Sequence, residues 1–123
     1  MFNVIAVGLG GFFGAILRYL ISSYTTRINA AFPYGTLIVN ILGGFLIGLI
    51  LQLSFDNFEI SPTLRMFLTT GLLGGLTTFS TFSYETVGMF VDNNIYIGAI
   101  NIFLNVTLSL TGVFLGKYIA QII

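Results

Sequence analysis

Four long apolar stretches alternate along the chain with short polar connections. The first covers roughly Phe2 to Ser23 and is followed by the polar, Pro-ended segment SYTTRINAAFP. The second runs from about Tyr34 to Ser54 and exits through FDNFEISP, which carries two acids. Pro62 suits the first turn of the third stretch, which reaches from about Thr63 to Val91. The turn DNN (Asp92 to Asn94) leads into the fourth, from about Ile95 to Ile122. A helix crosses the hydrocarbon core with about 20 apolar residues. The pattern therefore predicts one all-α integral membrane domain over residues 1–123, with four transmembrane helices.

The third stretch, TLRMFLTTGLLGGLTTFSTFSYETVGMFV, departs from the others. It holds Gly71, Gly74 and Gly75, with hydroxyls at Thr69, Thr70, Thr77, Thr78, Ser80, Thr81 and Ser83. Adjacent glycines lower helix propensity, and hydroxyls offer the backbone competing hydrogen bonds. The expectation is helix to about Leu73, a break near 74–78, and helix again from about Phe79. The break falls near the middle of the span and hence of the bilayer. Unpaired backbone groups persist there only when buried in protein or lining an aqueous path. Broken helices at that depth are a recurrent way to bind ions.

Sorting the basic residues by side gives Arg65 and Lys117 with the N-terminus, and Arg18 and Arg27 opposite. Two against two sets no orientation. Either so few charges carry a weak signal, or copies insert both ways and pair as an antiparallel, dual-topology dimer. In the second case a mid-depth break would meet its partner on the two-fold axis, where converging carbonyls suit a small cation.

Small residues recur at helical spacing in Gly10/Gly14, Gly44/Gly48, Gly71/Gly75 and Gly112/Gly116, a pattern read as close helix packing. Polar positions also lie inside the spans. Asn40 sits about 10 Å into the second and shares a face with Thr36, Gly44 and Gly48. Asn101, Asn105 and Ser109 recur every fourth residue in the last, joined by Thr107 and Thr111. Such amides are costly in a membrane unless they pair or line a water path. Phe79 and Phe82, three apart, share one face of the resumed helix. Ring edges are electropositive and can hold a small anion weakly, without the trap a Lys would create. Glu85 is the one acid well inside a span.

Composition narrows the function. Charged residues make up 7% of the chain and hydrophobic ones 56%, against about 25% charged in soluble domains, so no water-facing catalytic domain is hidden here. With no Cys and no His, thiol chemistry and the commonest metal ligands are excluded, and no nucleophile–base pair points to an enzyme. MFNVIAVGLGGFF lacks a basic n-region and reads as a retained span. No Lys/Arg cluster points to nucleic acid.

The segments GGFFGAILRY (Gly10 to Tyr19), GTLIVNILGGFLIG (Gly35 to Gly48) and GLLGGLTTFSTFSYE (Gly71 to Glu85) resemble the Fluc/CrcB family of bacterial fluoride channels. The resemblance implies passive, fluoride-selective conduction that exports the ion across the bacterial plasma membrane. It also implies an antiparallel homodimer with a structural sodium ion at its centre. Na⁺ would rest on the backbone carbonyls of Gly74 and Thr77 from both copies. The fluoride pathway would take Phe79 and Phe82 as ring-edge ligands, Asn40 as a donor beside them, and Ser80, Thr81, Glu85, Asn105 and Ser109 along or near it. Arg18 would stand at a vestibule. The family often has Tyr where Asn101 lies, and some relatives pair two different chains. The competing reading is a small multidrug-resistance-type, proton-coupled transporter. That mechanism needs a buried acid, usually in the first span, where this chain has Arg18.

Overall fold

The computed structural model describes residues 1–55 and 60–123, and every regular element among them is helical. In order these are α1 (Phe2–Ile28), α2 (Tyr34–Phe55), α3 (Pro62–Met66), a π-helical stretch (Phe67–Leu73), α4 (Gly74–Leu76), α5 (Phe79–Val91) and α6 (Ile95–Ile122). The acidic connection with Asp56 and Glu59 lies outside the described residues. Helix α1 runs on to Ile28, past the polar residues expected to end it near Ser23. The Thr25 and Thr26 hydroxyls donate back to the carbonyls of Ile21 and Ser22, at 2.9 and 2.8 Å, so they add no unmet polar demand to the helix.

Helices α1, α2 and α6 are each long and apolar enough to cross a membrane. The distribution of side chains is that of a protein dissolved in lipid. A small core gathers Val39, Leu73 and Leu76, with Ile21, Leu46, Ile47 and Ile50 packed against it. Phe2, Phe12, Phe103, Phe114 and many other large apolar residues face outward. Water would not tolerate so continuous an apolar exterior, whereas hydrocarbon does. The chain is a multi-pass membrane protein.

What replaces the missing core is backbone contact between glycines. The four small-residue pairs seen in the sequence meet two by two. Gly10 and Gly14 of α1 lie against the π-helical stretch and α4, which present Gly71 and Gly75 in return. A methyl on Gly71 would sit 2.8 Å from the Val7 carbonyl oxygen, and one on Gly75 2.6 Å from that of Gly11. Likewise Gly44 and Gly48 of α2 abut Gly112 and Gly116 of α6, with a methyl on Gly44 2.7 Å from the Ser109 carbonyl. Close backbone approach supplies dispersion contacts where lipid gives no hydrophobic drive.

The broken span is interrupted later and more briefly than its glycines predict. Gly74 and Gly75 are helical, and only Thr77 (φ −79°, ψ 156°) and Thr78 (φ −153°, ψ 119°) are extended. Glycine's low helix propensity reflects its freedom and its solvated backbone in water. In a lipid-embedded bundle the unpaired alternative is worse, so both glycines stay helical, and Gly75 serves packing against Gly11 of α1. A π-helical stretch before them was not expected. There the Gly74 amide donates to the Thr69 carbonyl, five residues back, as well as to Gly71. Ser61 caps α3 with Pro62 in its first turn, and Thr78 caps α5 by accepting from the Thr81 amide at 3.1 Å. Asn93, at φ 60°, turns α5 into α6.

Two substitutions separate the roles of the glycines in α1. Gly14→Ala drives a methyl into the Leu72 carbonyl, and overpacking of this kind costs about 3 kcal/mol. A methyl added at Gly8 would meet nothing within 4 Å, so Gly8→Ala is expected to stabilise by up to about 1 kcal/mol through helix propensity. Thermal midpoints in detergent, followed by the monodisperse size-exclusion peak, should therefore move in opposite directions. Equal midpoints would remove the packing role.

Candidate functional site

The interruption is held open by one side chain. The Thr78 amide donates to Asn40 Oδ1 at 2.9 Å, and Asn40 Nδ2 donates back to the Thr78 carbonyl at 3.2 Å. This reciprocal pair satisfies the Thr78 amide at the gap and adds a donor to its carbonyl. Its amide no longer serves the Gly74 carbonyl, four residues back, and the Thr81 amide is taken by Thr78 Oγ1 in place of the Thr77 carbonyl.

From Asn40 a chain of hydrogen bonds crosses the bundle. Asn40 Nδ2 donates to Asn105 Oδ1 at 3.0 Å. Asn105 Nδ2 donates to Asn101 Oδ1 at 3.0 Å and to the Asn101 carbonyl at 3.1 Å. Asn101 Nδ2 donates to Thr86 Oγ1 at 2.9 Å, and that hydroxyl donates to the Phe82 carbonyl at 2.7 Å. The chain leaves α5 at its cap, passes through α2 and α6, and returns to α5 at Thr86, about two turns further on. Asn101 is fully buried, and Asn105 and Thr86 nearly so.

Beside this chain lies a groove of about 490 Å³. Of the residues singled out in the sequence, it brings together Asn40, Gly74, Thr77, Phe79, Phe82, Asn105 and Ser109. The two rings stand 5.6 Å apart between centroids and tilted by 57°. They differ sharply in exposure, Phe79 at 79% and Phe82 at 8%. The Ser109 hydroxyl is buried and has no hydrogen-bond partner. The lining contains neither acid nor base, so the groove's polarity comes from amides, hydroxyls and backbone.

Other predicted positions fall outside the groove. Ser80 and Thr81 turn their hydroxyls to Thr78 Oγ1, at 3.3 and 3.0 Å, on the exposed side of the first α5 turn. Glu85 Oε1 accepts from Thr36 at 2.8 Å, while its Oε2 is buried without a partner. Arg18 sits half-buried on α1 and lines no part of the groove. Thr107 and Thr111 do not join the stripe of α6. They bond back to the carbonyls of Phe103 and Thr107 on another face.

Sequence reasoning missed Thr36, Thr78 and Thr86 as partners, and saw Asn101 only as a member of a stripe. Their roles depend on contacts 15 to 49 residues away in sequence. The signal within reach was the i, i+4 run of α6, which required partners on a facing helix.

Comparison with known proteins agrees with this architecture. Residues 5–117 match the family described as "CrcB-like protein, Camphor Resistance (CrcB)". A Clostridium perfringens protein named fluoride-specific ion channel FluC is 55% identical over 118 residues, covering 95% of this chain and 92% of its own length. Proteins of the same name from Ruminiclostridium cellulolyticum and Geotalea daltonii are 52% and 46% identical over 124 residues each, the whole of this chain and 95% and 100% of theirs. A family match from one end of the bundle to the other, with the broken span inside it, fixes the affiliation: the chain belongs to the CrcB family.

Proposed function

We propose that this chain forms a fluoride-selective channel of the bacterial plasma membrane, lowering cytoplasmic fluoride by passive export. Fluoride that enters as HF and dissociates inside would leave through it as the ion. The observation that carries the reading is the pairing, in one uncharged groove, of the Phe79/Phe82 rings with the unpartnered Ser109 hydroxyl. Ring edges and a hydroxyl proton are weak positive poles. An anion is held by such donors without being trapped, as conduction requires. A path shaped to the smallest halide compensates its dehydration better than that of chloride. The names of the relatives point the same way. Glu85 lies outside the groove, which removes the acid a proton-coupled exporter would need at its substrate site.

The assembly we propose is an antiparallel homodimer with Na⁺ on its axis. The carbonyls that would bind it, those of Gly74 and Thr77, have their usual helical amide donors directed elsewhere. Gly74 is exposed in the single chain and Thr77 half-exposed, as a site completed by a second copy requires. Four converging oxygens suit a hard monovalent cation. Its contribution would be electrostatic, neutralising carbonyl ends brought face to face. The even split of basic residues between the two sides is compatible with copies of opposite orientation.

Liposomes loaded with fluoride and containing the purified protein should release it rapidly and retain chloride; no release, or equal release of chloride, ends the fluoride reading. Phe82→Ile should slow efflux about a hundredfold, the scale on which losing one aimed donor slows a process dependent on it. Ser109→Ala should slow it about tenfold by the same logic. Parent rates in both variants would take the rings and hydroxyl out of the pathway.

Replacing Na⁺ by a bulky organic cation should lower the thermal midpoint of the assembly. A ligand at 100 times its Kd stabilises by about 2.7 kcal/mol. A midpoint indifferent to Na⁺ concentration would remove the ion from the structure.

A further inference from the structure

The hydrogen-bond chain has a single allowed direction. It begins at the Thr78 amide, which can only donate, and ends at the Phe82 carbonyl, which can only accept. Thr86 spends its one proton on that carbonyl, so its oxygen can only accept from Asn101. Asn101 must therefore turn its NH₂ to Thr86 and its oxygen to Asn105. Asn105 in turn must offer its oxygen to Asn40, whose NH₂ faces it. Amide ends are nearly identical in shape, so these partners alone decide the orientation of each.

Helix α5, which carries both rings, is sparsely held. Among the described helices it packs against α2 and α6 only. Its polar ties are Thr78 to Asn40 at the cap, Glu85 to Thr36, and Thr86 to Asn101. The last is the most deeply buried, with Asn101 at 0% and Thr86 at 5% exposure. It stands one turn beyond Phe82, to whose carbonyl the Thr86 hydroxyl is bonded. Neither Asn101 nor Thr86 lines the groove.

We propose that Asn101 and Thr86 form a buried pin that positions Phe82 in the pathway, as positioning residues that never touch the ion. This rests on the fluoride reading of the groove. The pin sets the lateral seat of α5 on α6, and with it the reach of the Phe82 ring edge across the groove. It also anchors the far end of the amide chain, so that Asn105 and Asn40 keep their donor and acceptor ends as the groove requires. Tying α5 to α6 by a hydrogen bond gives a fixed distance and direction, which packing of the exposed apolar residues around it does not.

The test compares Thr86→Val, Thr86→Ser and the pair Thr86→Val/Asn101→Leu, each purified as a single size-exclusion peak and assayed per molecule in fluoride-loaded liposomes. Thr86→Val keeps the shape but leaves Asn101 Nδ2 buried without an acceptor, so its thermal midpoint should fall. The paired variant orphans neither member of the pin, Asn105 Nδ2 keeps the backbone carbonyl of residue 101 as its acceptor, and replacing both partners by apolar groups is close to neutral. Its midpoint should return to that of the parent, while fluoride efflux stays about tenfold or more below it, because small misplacements of an aimed group are costly. Thr86→Ser retains the hydroxyl and should conduct at the parent rate. A stable paired variant that conducts like the parent, or a Thr86→Ser that conducts like Thr86→Val, overturns the pin. If Thr86→Val yields no folded protein, the paired variant against Thr86→Ser decides the question alone. A parent that fails to conduct fluoride sinks the proposed function instead, and is thereby told apart from failure of the pin.

Discussion

The two hydrogen bonds between the Asn40 side chain and the Thr78 backbone are the constraint from which the rest follows. In hydrocarbon, each unmet backbone group costs several kcal/mol. A helix interrupted at mid-depth therefore re-forms unless something else satisfies the residues at the gap. A carboxamide is suited to this because it presents a donor and an acceptor side by side, as a peptide group does. With Thr78 satisfied from α2, its amide is withheld from Gly74 and its hydroxyl is free to cap α5 at Thr81. The gap can then be two residues long and still leave no cost on Thr78 itself.

Asn40 could not reach Thr78 and Asn105 together without the glycine contacts. Thr36, Asn40, Gly44 and Gly48 occupy one face of α2 at four-residue intervals. Gly44 and Gly48 lie against the Ser109 and Val113 carbonyls of α6, bringing the two backbones together. One turn away from Gly44, that proximity places Asn40 3.0 Å from Asn105. The other glycine set acts on the opposite side, drawing the π-helical stretch and α4 onto α1. Packing thus fixes where the break sits relative to α2, and the amide clamp fixes its shape.

The fold was legible because membrane spans announce themselves by length and apolarity, which neither tertiary packing nor solvent can overrule. The glycine pairs were legible as packing surfaces but not as couples, since spacing within one helix says nothing about its neighbour. Gly74 and Gly75 misled on the extent of the break. Their propensity argues for disruption, whereas the Gly11 carbonyl and the α1 backbone need Gly75 as smooth, helical surface. Thr77 and Thr78 break the helix instead, where a partner amide from 38 residues away makes breaking tolerable. The groove residues on α6, Asn105 and Ser109, showed through their four-residue repeat. Thr86 and Thr36 did not, because a lone Thr in a span usually bonds back to its own helix, as Thr107 and Thr111 do.

A broken helix presents two ends of opposite polarity at one depth. The end at Gly74 to Thr77 offers carbonyls, the negative pole of α4 and the π-helical stretch; the start of α5 at Phe79 offers amides, the positive pole of a 13-residue helix. The first suits a cation and the second an anion, so one interruption would serve both the proposed sodium ion and the proposed anion pathway without a charged side chain. Charged residues would be the simpler way to bind either ion, but each is expensive at that depth and binds too tightly for conduction. Dipoles avoid both costs on one condition, that their orientation is held. The directional chain from the Thr78 amide to the Phe82 carbonyl meets that condition, since reversing any amide in it would set donor against donor on one side and acceptor against acceptor on the other.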